Sequence, residues 1–193
     1  MKTKHKTNSS LMKNVFLLLL LFTCAVKAQI VNIPDANFKA KLIAVGVDNN
    51  GNSEIEESEA QVFPYLNLEN SNISDLTGIQ SFTNLQYLNC SQNQIATSLD
   101  VSGLINLETL YCQSTQITSL NASGCINLTV LDCLNNQITN LNIDNDINLL
   151  QLQCSQNQLA FLNTTSNVNL QSLDCGFNQI ISLNLSSNSN LQI

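Results

Sequence analysis

Hydrophobic and polar positions repeat along this chain with a period of 21 or 22 residues. Each unit begins with Asn-Leu and continues with Leu-x-Cys, then Asn-Gln-Ile and a further Leu. In-register copies start at Asn84, Asn106, Asn127, Asn148, Asn169 and Asn190, the last of which is incomplete. An earlier, degenerate copy carries Tyr65, Leu66, Leu68 and Ile73. A fixed period of this length predicts a solenoid in which each unit stacks only on its neighbours.

The Leu-x-Cys alternation predicts one short strand in each unit, with Leu and Cys facing inward. Stacked copies then form a parallel sheet on the concave side of the solenoid. We expect three interior columns, formed by Leu88, Leu110, Leu131, Leu152 and Leu173, by Ile95, Ile117, Ile138, Leu159 and Ile180, and by Leu99, Leu120, Leu141, Leu162 and Leu183. Because no single unit buries its apolar face alone, the core exists only in the stack.

A polar residue recurs in the turn after each of these strands. It is Asn in most copies, namely Asn93, Asn136, Asn157 and Asn178, whereas Thr115 and Ser71 replace it in two others. An inward amide at this turn satisfies backbone groups that leave the sheet and that the interior does not tolerate unpaired. We therefore predict an asparagine ladder that is weaker at Thr115 and Ser71.

The repeat resembles the leucine-rich repeat, with Cys at the third apolar position, over residues 62–193. The whole pattern is similar to exported leucine-rich-repeat proteins of Bacteroidetes-type bacteria and, more distantly, to the internalins. That resemblance implies an α/β solenoid with short parallel strands on the concave face and a helical N-terminal cap. It also implies protein binding or adhesion at a cell surface.

One cysteine recurs in each repeat, in the column Cys90, Cys112, Cys133, Cys154 and Cys175. Zinc sites use close pairs such as Cys-x-x-Cys, and none is present here. Disulfides need side chains that converge, whereas these point the same way from strands ~4.8 Å apart. The spacing favours buried, reduced thiols that act as small hydrophobes. Cys125 lies outside the column and is expected to pack on the convex side.

Residues 1–28 are predicted to be a signal peptide. Lysines at positions 2, 4, 6 and 13 precede an apolar run at 15–22, and small residues flank Lys27 where a peptidase would cut. A transmembrane helix is disfavoured because the run is shorter than the ~20 residues a span needs. A lipoprotein would be modified at Cys24, but Phe22 and Thr23 stand where small residues are usual. Export to the medium or the cell surface follows.

Removing these residues leaves Lys39 and Lys41 against 14 acids, a net charge near −12, with no Arg, Trp or His. Nucleic-acid binding needs a basic footprint and is excluded on this ground. No later segment is apolar enough to be a transmembrane segment. The partner class that remains is a protein or another surface macromolecule.

Residues 29–61 lack the repeat and are expected to form the helical cap, with Phe38, Leu42, Ile43 and Val45 on the apolar side of one helix. The following segment, 48–59, resembles a twelve-residue EF-hand loop. Calcium is its candidate ligand, and the metal-site candidates are Asp48, Asn50, Asn52, Glu54, Glu56 and Glu59. Ser53 stands where such loops favour Gly, and a solvated acidic loop is the alternative. No other cofactor is indicated.

The outward positions of the concave strands supply the candidate binding surface. It consists of Tyr87, Asn89, Thr109, Tyr111, Val130, Asp132, Leu134, Gln153 and Asp174, with Phe177 just beyond. Exposed aromatic side chains beside apolar and amide groups are typical of interface hot spots. Asp132 and Asp174 are expected to be solvated and ~10 Å apart, since two strand spacings separate them. Asp144 and Asp146 are expected on an exposed convex turn.

No catalytic constellation is evident, because nucleophilic catalysis usually needs a positioned base and residues 29–193 contain no His. We therefore predict a binding or adhesion module that is not an enzyme. Two alternatives remain, a passive spacer and the recognition part of a longer secreted enzyme. The final repeat stops at Ile193 without a polar cap, which predicts self-association through an open apolar edge.

Overall fold

The computed structural model describes residues 28–192. The predicted signal peptide therefore lies outside the described residues, apart from Ala28. No helix in the described part of the chain is long and apolar enough to cross a membrane.

The cap is built around one helix, α1 (Ala36–Ala44). Asp35 begins it, because its side chain accepts a hydrogen bond from the Phe38 N–H at 2.8 Å and satisfies a free donor of the first turn. Phe38 and Leu42 are fully buried, as predicted. Val45 is 37% exposed, which contradicts the prediction. It lies just beyond the helix end, so the helical face that holds Phe38 no longer directs its side chain inward. A single turn, α2 (Glu57–Ala60), completes the cap.

Direct contacts fix the cap on the first repeat. The second carboxylate oxygen of Asp35 accepts hydrogen bonds from Ser74 N at 2.8 Å and Ser74 Oγ at 2.7 Å. Gly78 adopts φ +101°, and a Cβ there would lie 2.9 Å from the Asn32 carbonyl oxygen. Only glycine tolerates both this φ angle and this close approach. The cap backbone can therefore pass directly beside the start of the short 3-10 helix Ile79–Ser81.

Nine short strands follow within the described residues. They are β1 (Tyr65–Asn67), β2 (Tyr87–Asn89), β3 (Ser98–Asp100), β4 (Thr109–Tyr111), β5 (Ser119–Asn121), β6 (Val130–Asp132), β7 (Asn140–Asn142), β8 (Gln151–Gln153) and β9 (Ser172–Asp174). Six form the concave sheet in the order β1-β2-β4-β6-β8-β9, and all neighbours are parallel. The predicted solenoid fold is confirmed.

A second parallel sheet, β3-β5-β7, lies on the convex side and was not predicted. Its strands hold the third interior column, with Leu99, Leu120 and Leu141 paired in register. The alternation of Ser-Leu-Asp and Asn-Leu-Asn was the available signal. We expected one sheet because the strands have only three residues and lie directly among turn-forming residues.

The interior columns form as predicted, and burial decreases along the solenoid. The first four leucines of the concave column are fully buried, whereas Leu173 is half-buried. Ile180 and Leu183 are also only partly buried. In the described residues no further strand lies beside β9, so these side chains lack a neighbour on one side.

The asparagine ladder is confirmed in its hydrogen bonds. Asn93 Nδ2 donates to the Leu68 and Cys90 carbonyls at 2.8 Å, and its Oδ1 accepts from Ser71 N and Ile73 N. Asn157 and Asn178 make the same bonds to backbone carbonyls three and four turns further on. At the weaker position, Thr115 Oγ1 reaches the Cys112 carbonyl at 2.9 Å, and no bond from its side chain crosses back to the preceding turn.

All six cysteines of the described residues are unpaired thiols, as predicted. Burial raises the pKa of Cys90 and Cys154 to about 12, and it raises that of Cys112 and Cys133 well above the ordinary thiol value. These groups therefore remain protonated and unreactive at neutral pH. Cys175 is half-buried, and burial raises its pKa less.

One buried column on the convex side changes chemistry along the chain. We call it the convex column, and it consists of Phe82, Leu104, Cys125, Asp146, Asn167 and Asn188. Cys125 packs there as predicted and is fully buried. Asp146 is fully buried too, so its predicted place on an exposed turn is wrong. The repeat register places it at the position that Leu104 and Cys125 fill, where the side chain points into the stack.

Candidate functional site

The outward positions of the concave sheet form two rows along the solenoid. The first row pairs Tyr65, Tyr87, Thr109, Val130, Gln151 and Ser172 in register, and the second pairs Asn67, Asn89, Tyr111, Asp132, Gln153 and Asp174. The inward Leu between each pair anchors the strand. This regular backbone therefore fixes neighbouring outward side chains about one strand spacing apart, ~4.8 Å.

Three tyrosines at the N-terminal end of the sheet contact one another, and we call them the tyrosine cluster. The Tyr65 and Tyr87 rings stack with centroids 4.3 Å apart and planes at 8°. Tyr87 and Tyr111 meet edge to face at 5.9 Å and 64°. Burial, followed by the neighbouring Tyr65, raises the pKa of the Tyr87 hydroxyl. The cluster is a rigid aromatic surface, since each ring restricts the next.

Tyr65 was missed as a site residue, although its position in the repeat aligns it with Tyr87. It is 53% exposed and supplies the outer face of the tyrosine cluster. The signal that would have found it was the register itself, because parallel strands place aligned residues side by side.

Two carboxylates continue the second row. Asp132 and Asp174 flank Gln153 in the register, which confirms the predicted separation of two strands. Asp132 was expected to be solvated, but it is half-buried. Burial raises the pKa of its carboxyl, the Leu134 N–H at 3.0 Å lowers it, and the charge of Asp174 raises it further. Asp174 accepts a hydrogen bond from Ser155 Oγ at 2.8 Å.

Some predicted site residues are not available at this surface. Asn89 is 8% exposed, because its Oδ1 accepts from Ser91 N and its Nδ2 donates to Glu69. Both polar ends of its amide are therefore already hydrogen-bonded within the protein. Leu134, Thr109 and Val130 are half-exposed, and Gln153 is exposed.

Phe177 is 84% exposed but lies three strand spacings from Tyr111, ~14 Å along the sheet. It therefore does not join the tyrosine cluster. Its φ is +51°, the left-handed region that Gln92, Ser114, Asn135 and Gln156 occupy at the same turn. A bulky aromatic residue rarely adopts this conformation.

The predicted calcium loop brings four of its six candidate side chains together. Asn50 Nδ2 donates to Glu56 at 3.0 Å and to Glu59 at 3.1 Å, while Asn52 Nδ2 donates to Glu56 at 2.6 Å. Asp48 accepts from Gly51 N and Ser53 N instead, and the Glu54 side chain pairs with Lys39 at 2.6 Å. Ser53 adopts φ +65°, so it takes the left-handed conformation for which glycine is favoured.

These side chains lie close enough together to surround a calcium ion. However, the amides of Asn50 and Asn52 direct their nitrogen atoms, not their oxygen atoms, toward the carboxylates. A cation needs oxygen ligands, so Asn50 and Asn52 would have to turn their Oδ1 atoms toward Glu56 and Glu59. In residues 28–192 no three His, Cys, Asp or Glu side chains are grouped as metal ligands. Calcium binding therefore stays a prediction, with Glu59 as its bidentate ligand and Glu54 contributing only a carbonyl.

The architecture and the repeat define a leucine-rich-repeat solenoid. A model of leucine-rich repeats (2 copies) matches residues 105–145. The functional domain of InlJ from Listeria monocytogenes, described as including a cysteine ladder, is 28% identical with a TM-score of 0.55. The alignment covers 86% of this chain and 47% of that one. This chain has a cysteine column of its own, Cys90 to Cys175, with one cysteine in each repeat.

Two further solved structures share the fold. The internalin InlF from Listeria monocytogenes is 22% identical, with a TM-score of 0.69 and coverage of 88% of this chain and 52% of that one. The leucine-rich-repeat protein LIC12759 from Leptospira interrogans is 22% identical, with a TM-score of 0.51 and coverage of 71% and 44%. No curated protein matches the sequence. The chain thus spans only 44–52% of the length of these structures.

Proposed function

We propose that this chain is the recognition module of an exported protein and binds a protein ligand on its concave sheet. The internalin-like leucine-rich-repeat fold supports protein binding in general. The basic and apolar N-terminal sequence supports export to the medium or the cell surface. The observation that carries the proposal is the tyrosine cluster.

The tyrosine cluster has the properties of an interface hot spot. Its rings lie on adjacent strands of a rigid sheet, so little conformational entropy is lost when a ligand covers them. Tyrosine is enriched at hot spots because it combines apolar area with a polar hydroxyl. The half-exposed Thr109 and Val130 continue this row toward the middle of the sheet.

Charge indicates the chemical class of the ligand. No basic residue follows Lys41 in the sequence, so the repeats carry acids alone. On the concave side Glu69, Asp132 and Asp174 accompany the tyrosine cluster. A ligand segment rich in Lys or Arg would complement these carboxylates and could place its cations over the exposed Tyr65 ring.

A cation near Asp132 would also remove an unfavourable interaction. Burial and the charge of Asp174 already disfavour the ionised form of Asp132. A lysine or arginine of the ligand would stabilise that ionised form, so binding should lower the pKa of Asp132. This makes a basic polypeptide a better fit to the face than an acidic or neutral one.

Peptide arrays of fixed length and varied Lys and Arg content test this function. Binding should increase with basic content and weaken with added salt. Tyr87→Ala with Tyr111→Ala should reduce the affinity at least about tenfold, a modest loss for two hot-spot residues. Ser98→Ala with Asn140→Ala, on the convex sheet, is the matched control and should not change binding. Equal binding to acidic peptides, or full binding by the tyrosine variant, would contradict the proposal.

A further inference from the structure

The polar residues of the convex column follow one hydrogen-bonding rule. Cys125 Sγ donates to the Val101 carbonyl at 3.3 Å. Asn167 Nδ2 donates to the carbonyls of Ile143 at 3.1 Å and Asp146 at 3.0 Å. Asn188 Nδ2 donates to the carbonyls of Thr164 at 3.0 Å and Asn167 at 2.8 Å. Each side chain thus donates to the carbonyl 24 residues before it, and each Asn also to the one 21 residues before it.

Asp146 occupies the same column, and the same rule assigns it the carbonyls of Ala122 and Cys125 as acceptors. An ionised carboxylate has no proton to donate. Both Asp146 carboxyl oxygens are buried and make no hydrogen bond to any described residue. The Ala122 and Cys125 carbonyls can only accept hydrogen bonds, and an ionised Asp146 carboxylate can only accept as well. The two therefore cannot bond to each other unless Asp146 carries a proton.

No positive charge compensates Asp146. The titratable groups that face it are the Cys125 thiol and the Asp144 carboxyl, and no Lys, Arg or His follows Lys41. The nearby N–H groups of Gly124 and Cys125 donate to the Asp144 and Ala122 carbonyls, at 3.0 and 3.1 Å. An unpaired carboxylate in such a site is strongly disfavoured relative to its neutral form.

Burial accordingly raises the pKa of Asp146 to about 7. The Cys125 and Gly124 N–H groups lower it in part, and the charge of Asp144 raises it further. The usual value for Asp is 3.8, which applies to the unfolded chain.

We propose that the Asp146 carboxyl links two turns of the solenoid by a hydrogen bond that it can donate only when it is protonated. Its carboxyl is protonated in the folded protein and donates to the Ala122 or Cys125 carbonyl, as the Asn167 and Asn188 amides do one and two turns later. Loss of that proton breaks the donor pattern and leaves a negative charge inside the stack. The turn that contains Asp146 is then held less firmly against the preceding turn.

The sign of the pH effect follows from linkage. Between the unfolded and folded pKa values, the folded state binds one more proton than the unfolded state. The stabilisation from Asp146 is therefore fully present below pH 3.8, is lost as pH rises toward about 7, and does not change further above that value.

Urea unfolding of the wild-type chain and Asp146→Asn between pH 4 and pH 8.5 tests the proposal. The variant places at 146 the amide that already serves at 167 and 188 in this column. The ratio of the folding equilibrium constants, variant over wild type, should grow about tenfold per pH unit up to about pH 7 and then stay level. Taking the ratio removes the contribution of the other acids, which both proteins share.

Asp144→Asn, at an exposed position in the same turn, is the matched control. It removes only the effect of the Asp144 charge on Asp146, the smallest of the contributions named above, so its ratio should change with pH far less than that of the Asp146 variants. Asp146→Leu, which reproduces Leu104, gives a second neutral side chain and should show the same pH trend as the Asn variant. A ratio independent of pH for both Asp146 variants would overturn the proposal. Isotope-edited infrared spectra supply a direct readout, since a protonated-carboxyl band at pH 6 should be present in wild type and absent in Asp146→Asn.

Discussion

The N-terminal turns of the solenoid, residues 62–125, and the C-terminal turns, residues 126–192, share one backbone but stabilise it with different chemistry. The convex column shows the contrast, because it begins with Phe82 and Leu104 and ends with Asn167 and Asn188. The concave face changes in parallel, from the tyrosine cluster to Gln151 and Ser172. Since each turn contacts only its neighbours, apolar packing and side-chain hydrogen bonds can replace each other locally.

The largest difference should appear when the two ends of the convex column are truncated. Phe82→Ala removes a fully buried ring and should lower the free energy of unfolding by about 3 to 5 kcal/mol. Asn188→Ala removes three hydrogen bonds near the partly exposed end, two donated to carbonyls and one accepted from Thr164 Oγ1, and should cost about 1 to 2 kcal/mol. Urea denaturation measures both. Equal losses would show that the two halves are not stabilised differently.

The asparagine ladder permits the same comparison with one residue type. Asn93→Ala leaves buried carbonyls and N–H groups without partners, so we expect a loss of about 3 kcal/mol. Asn178→Ala, whose Gly176 carbonyl acceptor lies at an exposed site, should cost about half as much because water can replace the amide. The check is the difference in urea midpoints at constant slope. A larger loss at Asn178 would contradict this ordering.

Calcium should add stability at the N-terminal end alone, if the cap loop binds it. At 100 times a dissociation constant of ~10⁻⁴ M, binding would stabilise the folded state by about 2.7 kcal/mol. The melting temperature should therefore rise by several degrees in about 10 mM calcium. Glu59→Gln should abolish the rise, whereas Glu69→Gln, an exposed acid outside the loop, should retain it. No shift in wild type would refute the calcium site.

The reactivity of the cysteine thiols should also differ along the solenoid, and this is the smallest of the expected effects. Cys175 is half-buried, whereas Cys112 and Cys133 are fully buried with pKa values held far above the ordinary thiol range. Alkylation at pH 8 should modify Cys175 at least about tenfold faster, because the thiolate is the reactive form. Peptide mass mapping over time distinguishes the sites. Simultaneous modification of all six cysteines would indicate global opening instead.

The repeat period made much of this architecture predictable. The register alone fixed the interior columns, the asparagine ladder and the cysteine column, because stacked units repeat the same contacts. The convex sheet was missed because three-residue strands give little alternation to detect. The burial of Asp146 was missed because a charged residue suggested an exposed turn, although its alignment with Leu104 and Cys125 indicated the interior.

The binding surface was less predictable than the core. Register placed Tyr87 and Tyr111 on the concave face, but their contacts with Tyr65 depend on side-chain orientations that a period does not determine. Asn89 illustrates the limit, since its outward position is correct while its side chain is occupied by Ser91 and Glu69. The predicted residues are also spread over five strands, which separates Phe177 from the tyrosine cluster.

Site-specific photo-crosslinking can show whether a basic polypeptide binds on the concave sheet. A crosslinking residue is placed at Thr109 or Gln151 on the concave sheet, and at Ser98 or Asn140 on the convex sheet. With a Lys-rich peptide, we predict adducts at Thr109, fewer at Gln151 because it lies further from the tyrosine cluster, and none at the convex positions. Equal or stronger crosslinking from Ser98 and Asn140 would show that the peptide does not bind on the concave sheet.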